Sequence, residues 1–386
     1  MRLWSCQYVF CLILWGVLWA VPLWAKSSLV KQAIVAFEQQ NFSEARVCID
    51  KAMEQIATQG QVDAWYYRGV IYEKLLRNQI ATEEAAQFFE ETLTAYQKVL
   101  ALTSVASQFH SFAQINLNGL WAYFLDRGRR YYKRAVFENA IQQFRYCQRI
   151  LPSNISSYLY IAIAAHQEEK YDSALHNYTY YLESGVVVPS VVYRGLAHLT
   201  AYPQKDPTKA LEILEQALLQ YPFDNDLLYE QIQLYTNLGQ IEAMQSIVQK
   251  QVAELSYEAA PYYRLGYWYE YHEEWQKALE YYQKAAELAP NRVEPIRQQG
   301  IIYYNQAVQA TQKITEMPEE QFQKIGKKQI KKLEDSLGQA LSYFEQANKV
   351  MPRDALTLKH LKTIYQRLHR PNQVKKIEQR LRKCKL

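Results

Sequence analysis

The side chains best suited to proton transfer or metal binding are few and dispersed in this chain. Seven histidines stand at 110, 166, 176, 198, 272, 360 and 369, and His272-Glu273-Glu274 sets an imidazole beside two carboxylates. Such a trio has the chemistry of an acid/base pair or of part of a ligand set. Its place directly after Tyr269, between two apolar-periodic runs, reads instead as an exposed turn. Glu83-Glu84 after Thr82 reads as a helix start whose acids complement the dipole. The spacings HExxH, GxSxG, GxGxxG and GxxxxGK(S/T) do not occur, so zinc hydrolysis, an elbow serine and a phosphate cradle all lack their usual arrangement. The chain reads as a non-enzyme without cofactor or metal.

Thiols and charge add little chemistry. Past residue 25 the cysteines are Cys48, Cys147 and Cys384, an odd number with no CxxC pair, which supports no disulfide framework. Cys48 and Cys147 fall on apolar helix faces, and Cys384 in a basic tail is the one expected to react with a thiol reagent. The net charge of +5 is too mild to imply nucleic acid, yet residues 353–386 carry +9 and residues 1–352 sum to −4. Lys324, Lys327, Lys328, Lys331 and Lys332 form a second basic run. Both read first as solvated surface, and second as a weak contact for anionic lipid or another acidic surface.

The elements around these residues are helical. Only 12 glycines in 386 residues argue against hairpin-rich or dinucleotide-binding folds, 49% hydrophobic residues exclude a disordered chain, and 32 tyrosines supply amphipathic surface that needs packing or a partner. Leu3 to Ala25 is uncharged, follows Arg2 and ends in Pro22-Leu23-Trp24-Ala25 before Lys26. That layout predicts a signal peptide over 1–25, or an uncleaved anchor, and an exported chain that is periplasmic or held at the inner membrane. Cys6 and Cys11 stand too early for a lipid-modified first residue.

Self-similarity organises the rest. Residues 259–292 carry Tyr262, Leu265-Gly266, Tyr269, Ala278, Tyr282, Ala285 and Pro290 at positions 4, 7, 8, 11, 20, 24, 27 and 32 of a 34-residue helix-turn-helix unit. Small Gly266 and Ala278 let two helices cross closely, aromatics fill the space beside them, and Pro290 ends the second helix. The phase recurs through Phe124, Gly128, Tyr131, Ala140, Phe144, Cys147 and Pro152. This pattern closely resembles the tetratricopeptide repeat family. The resemblance implies an all-α, right-handed superhelical solenoid of about nine helix pairs over 26–386. Its units lie near 26–59, 62–106, 121–154, 155–188, 189–224, 225–258, 259–292, 293–354 and 355–386, the last a polar cap.

Nine such units leave about 55 residues over, which predicts extended helix pairs near 83–134 and 303–345. In the second, Pro318-Glu319-Glu320 opens a helix, and Tyr303, Ala307, Ala310 and Ile314 face Phe322, Ile325, Leu333, Leu337 and Leu341. Shared equally, the excess adds about 14 residues to each helix of a hairpin turning near Met317.

In that family the first helix of each pair lines the concave side, so positions 2, 5, 9, 12 and 13 face a ligand. Carried onto this chain, the resemblance implies a groove of Arg129, Tyr132, Lys133, Leu159, Ile163, His166, Arg194, His198, Tyr229, Gln233, Tyr263, Tyr267, Glu270, Tyr271, Arg297, Ile301 and Tyr304. Arg194 and Arg297 occupy positions where some members hold a peptide carboxylate, but the accompanying asparagines are missing. The function expected is a cell-envelope scaffold or adaptor with a tyrosine-lined groove for a protein or peptide, and no nucleic acid. The groove side chains are expected to be free of the core, so that replacing Tyr263, Tyr267 and Arg297 leaves the melting temperature unchanged. The alternative is a periplasmic accessory subunit of a transport system that binds a small apolar ligand or self-assembles.

Overall fold

The structure, a computed structural model, describes residues 28–78 and 83–384. The expected signal segment lies outside them, as do Cys6 and Cys11. All nineteen elements among the described residues are helices. The chain divides into two compact units, residues 1–168 and 169–386.

The first unit holds α1 (Leu29–Glu38), α2 (Phe42–Met53), the single turn α3 (Ile56–Gln59), α4 (Val62–Asn78), α5 (Ala85–Leu102), α6 (Gln108–Lys133), α7 (Phe137–Ile150) and α8 (Ser156–Gln167). From α4 onward each helix packs on the next, and α4 also touches α6. Its core runs through Ile49, Tyr72, Phe88, Phe89, Tyr96, Leu120 and Phe124 without a break. The extension expected near 83–134 is carried mainly by α6, whose 26 residues begin at Gln108, whereas α5 has 18.

The second unit holds α9 (Tyr171–Glu183), α10 (Ser190–Ala201), α11 (Pro207–Gln220), α12 (Asn225–Asn237), α13 (Ile241–Glu254), α14 (Ala259–Tyr271), α15 (Trp275–Leu288), α16 (Val293–Thr315), α17 (Glu319–Val350), α18 (Ala355–Arg367) and α19 (Pro371–Lys383). Here too each helix packs on its successor, and the first helices α10, α12 and α14 touch in series. Such nearest-neighbour packing is the mark of a repeat stack, in which each pair buries its apolar stripe against the next.

One turn chemistry closes these pairs. Ala135, Glu273 and His369 take left-handed φ angles of 55°, 60° and 52°, and Gly239 does so at 66°. In each case the following N–H reaches back to a tyrosine carbonyl: Val136 to Tyr131 at 3.0 Å, Gln240 to Tyr235 at 2.8 Å, Glu274 to Tyr269 at 2.9 Å and Arg370 to Tyr365 at 2.9 Å. This six-to-one bond satisfies a carbonyl that the helix end would otherwise leave open. Helix starts are capped by side chains, as where Asp206, Asp224 and Asp354 accept the N–H of Lys209, Leu227 and Thr357.

The long pair α16/α17 departs from equal division, with 23 residues before the turn and 32 after it. Pro318, which cannot sit inside a helix, stands as the N-cap of α17 and decides where the turn falls. Ile325, expected to face α16, is 37% exposed. The seam instead passes through the buried Gly326, packed under the Phe322 ring of its own helix.

Candidate functional site

In the first unit, three residues expected on the inner surface converge. Arg129, Tyr132 and Lys133 leave one side of the last turns of α6, and Ile163 meets them from α8. With Phe144 and Tyr160 they line a recess of about 520 Å³. Gly128 makes this possible, since a methyl group there would collide with the Phe144 ring. Phe144 and Tyr160 stack with centroids 5.2 Å apart. The Arg129 guanidinium donates to the Tyr160 hydroxyl and lies 5.0 Å from that ring's centroid. Tyr132 leans on Phe137 at 5.4 Å, and Lys133 is exposed at the rim. His166 and Leu159 are half-buried on α8, one turn to either side of Ile163. The result is an aromatic floor under a cationic edge, fit for an apolar side chain with an acidic neighbour. Phe144 was legible only as a core position, and Tyr160 carried no signal beyond standing three residues before Ile163.

In the second unit, the groove residues behave differently: most tie one first helix to the next. Arg194 of α10 pairs with Asp226 of α12 at 2.5 Å, and Gln233 of α12 donates to the Tyr271 hydroxyl of α14 at 2.7 Å. Gln298 of α16 reaches Glu270 of α14 at 3.1 Å, and Arg297 of α16 pairs with Asp354, the cap of α18, at 2.9 Å. Tyr304 packs edge-on to His360 at 5.6 Å under the Arg367 guanidinium. Tyr263 is wholly buried and donates to Asn225 at 2.6 Å, so it belongs to the core and not to an open groove. The reason is geometric: its ring is wedged between Phe223 and Tyr282, at 5.0 and 5.2 Å. Arg297, with 12% of its side chain exposed, is likewise a brace.

Tyr229 and Tyr271 keep open edges, 48% and 37% exposed, and meet at 6.2 Å. Tyr267 is half-buried between them and Glu270, and burial raises its pKa. Burial also raises Glu270, although bonds from Tyr282 and Gln298 hold its charged form. Glu230, which the sequence reading missed, is raised by burial while His198 and Arg194 draw it back. His198 itself leans on Tyr202 at 4.7 Å. With Arg194 and Arg297 neutralised by partners, this surface carries acids and phenols more than the cationic points expected of it.

Residues 259–292 match the family model described as tetratricopeptide repeat. These residues form a tetratricopeptide repeat. No curated protein matches it in sequence. Solved structures similar to this chain include YrrB, described as a TPR protein with an unusual peptide-binding site, at 19% identity over 45% of this chain and 88% of that one, with a TM-score of 0.29. TTC0263, a thermophilic TPR protein of Thermus thermophilus, matches at 19% identity over 45% of this chain and 94% of that one, with a TM-score of 0.30. PilF of Pseudomonas aeruginosa matches at 15% identity over 64% of this chain and 99% of that one, with a TM-score of 0.32.

The groups with chemical potential elsewhere among the described residues are absorbed by turns and core. His272 stacks on Trp268 at 4.1 Å and bonds that residue's carbonyl, Glu273 is the left-handed turn residue, and Glu274 pairs with Lys277 at 2.6 Å. Glu84 pairs with Arg46 at 3.4 Å. Burial pushes the Cys147 thiol up to about 12, and the half-buried Cys384 points its sulfur at the Arg353 carbonyl. Among the described residues no His, Cys, Asp and Glu group is placed to hold a metal, and no helix is long and apolar enough to cross a membrane. A tetratricopeptide-repeat fold supports an interaction scaffold.

Proposed function

We propose that this protein is a non-catalytic scaffold of the cell envelope, exported by its N-terminal apolar segment, that holds a protein or peptide segment on its inner surfaces. One observation carries the site: Arg129, Tyr132, Lys133 and Ile163 meet Phe144 and Tyr160 around a recess large enough for a side chain. Rigid stacked pairs keep that recess formed before the partner arrives, so little ordering entropy is lost on this side of the complex.

The test is capture of partners from native envelope extract by the parent and by an Arg129→Ala/Lys133→Ala variant, followed by titration of whatever protein is recovered. Both side chains are exposed, so the variant keeps its melting temperature. Binding at least about ten-fold weaker is expected. Equal recovery by both would remove the recess from the function. A lipid or metabolite recovered in place of protein would replace the scaffold reading with that of a transport accessory. Loss of residues 1–25 from the envelope-associated protein is the expected result of N-terminal sequencing, and an intact start would indicate an anchor.

A further inference from the structure

The C-terminal end of the second unit concentrates charge that its own structure does not neutralise. From Arg353 to Cys384 ten Lys and Arg residues stand against two acids. Both acids are engaged within the fold. Asp354 pairs with Arg297 and caps α18, and Glu378 takes Lys362 at 2.7 Å. Arg380 is turned inward, to Asn348 at 2.6 Å and to the Pro352 carbonyl.

Helix α19 buries Ile377, with Val374 and Leu381 half-buried beside it. At 100° per residue the opposite face carries Lys375, Lys376, Arg382 and Lys383, all exposed. None of the four forms an ion pair among the described residues. A helix face that meets no other helix among the described residues needs to be polar, and interspersed charges of both signs satisfy that need. An all-cationic face repels itself and is suited to an anion.

The kind of anion follows from what else the face offers. Beside Lys375 stand the exposed imidazole of His369 and the buried Tyr365, which do not make a row of open rings on which successive bases could stack. At its C-terminal edge, the bonds of Arg380 and Cys384 to the Pro352 and Arg353 carbonyls hold α19 against the turn where Met351 and Leu356 stand 45% and 51% exposed. These two aliphatic side chains are about half exposed, which leaves them available to a hydrocarbon boundary. Cations spread along one helix, with exposed aliphatic groups on the adjoining turn, match phosphate headgroups with acyl chains just beneath. We infer that the outer face of α19, together with Met351 and Leu356, docks on an anionic lipid bilayer.

The experiment is co-sedimentation of the full-length protein with phosphatidylcholine vesicles, with and without phosphatidylglycerol, beside a Lys375→Gln/Lys376→Gln/Arg382→Gln/Lys383→Gln variant. Each cation near an anionic surface strengthens adhesion roughly five-fold, so the variant should lose at least about a hundred-fold of its binding to the anionic vesicles at unchanged melting temperature. A Met351→Ser/Leu356→Ser variant should bind more weakly while keeping the preference for anionic lipid. Equal binding of the parent to both vesicle types, or undiminished binding by the four-fold variant, would overturn the inference. So would tighter binding of duplex DNA or polyglutamate that is lost in that variant, which would give the face to another class of partner.

Discussion

Gly266 lies directly against the ring of Tyr282: a methyl group on Gly266 would sit 2.8 Å from the tyrosine Cδ1. Tyr282 is fully buried and spends its hydroxyl on Glu270 at 2.6 Å, so the ring has nowhere to retreat. The same relationship joins Gly69 to Tyr96, Gly128 to Phe144 and Gly300 to Phe344. In each pair the first helix gives up a side chain so that an aromatic of the second can fill the crossing.

Replacing Gly266 by Ala should therefore destabilise the protein by about 1–3 kcal/mol through overpacking. Gly119, on the exposed side of α6 with open space at its Cβ position, is the control. There the same change should stabilise by about 0.5–1 kcal/mol, as the unfolded chain loses freedom. Thermal melts of the two variants decide it, and shifts of the same sign would remove the packing account.

Tyr263→Ala should lower the melting temperature sharply, at a cost of about 3–5 kcal/mol, because a fully buried ring is deleted. Tyr263→Phe should cost about 1 kcal/mol, the net worth of its bond to Asn225. This reverses the expectation from repeat position alone, under which loss of Tyr263 weakens a partner and leaves stability untouched.

Arg264, 7% exposed, donates to Gln251 at 2.9 Å and to Glu215 and Gln231 at 3.0 Å. Its fork meets three acceptors from α11, α12 and α13, and a lysine cannot reproduce that. Arg264→Lys and Arg264→Met should each cost about 2 kcal/mol in urea titrations. Full retention of stability by the lysine variant would show that charge, not geometry, is what the site needs.

His360 stacks on Phe344 at 4.7 Å, and burial, followed by the nearby Arg297, lowers its pKa, while Asp354 pulls the other way. Between the lowered value and the ordinary one near 6.5, the unfolded chain binds the extra proton and the folded chain does not. Stability should thus fall as the pH drops through about 6.5. Glu270, raised by burial, works in the opposite direction, and its effect is felt as pH rises from the ordinary carboxylate range. His360→Phe should keep the stack and flatten the loss between neutral and mildly acid pH, as melting curves at stepped pH would show. An unchanged slope would assign the acid sensitivity to another group.

Amino-acid spacing alone determined the helical class and the 34-residue period, because each rests on local demands: small residues at a crossing and a proline past a helix end. The left-handed turn positions, at Ala135, Glu273 and His369, were not marked by residue type. The resemblance to the repeat family implied that Arg129, Tyr132, Lys133 and Ile163 share one surface, and spacing by itself put only Arg129, Tyr132 and Lys133 on one side of a helix. Tertiary structure decided which of the inner-face residues remain available. Tyr263 and Arg297 occupy inner positions by count, yet one is enclosed by Phe223 and Tyr282 and the other is bound to Asp354. The groups that take the Tyr263 hydroxyl and the Arg297 guanidinium, Asn225 and Asp354, stand 38 and 57 residues away in the chain, and no periodicity reports which distant group a side chain will meet. The same holds for the α19 face: its basic composition was plain in the sequence, but that the two nearby acids, Asp354 and Glu378, form their ion pairs with Arg297 and Lys362 follows only from the structure.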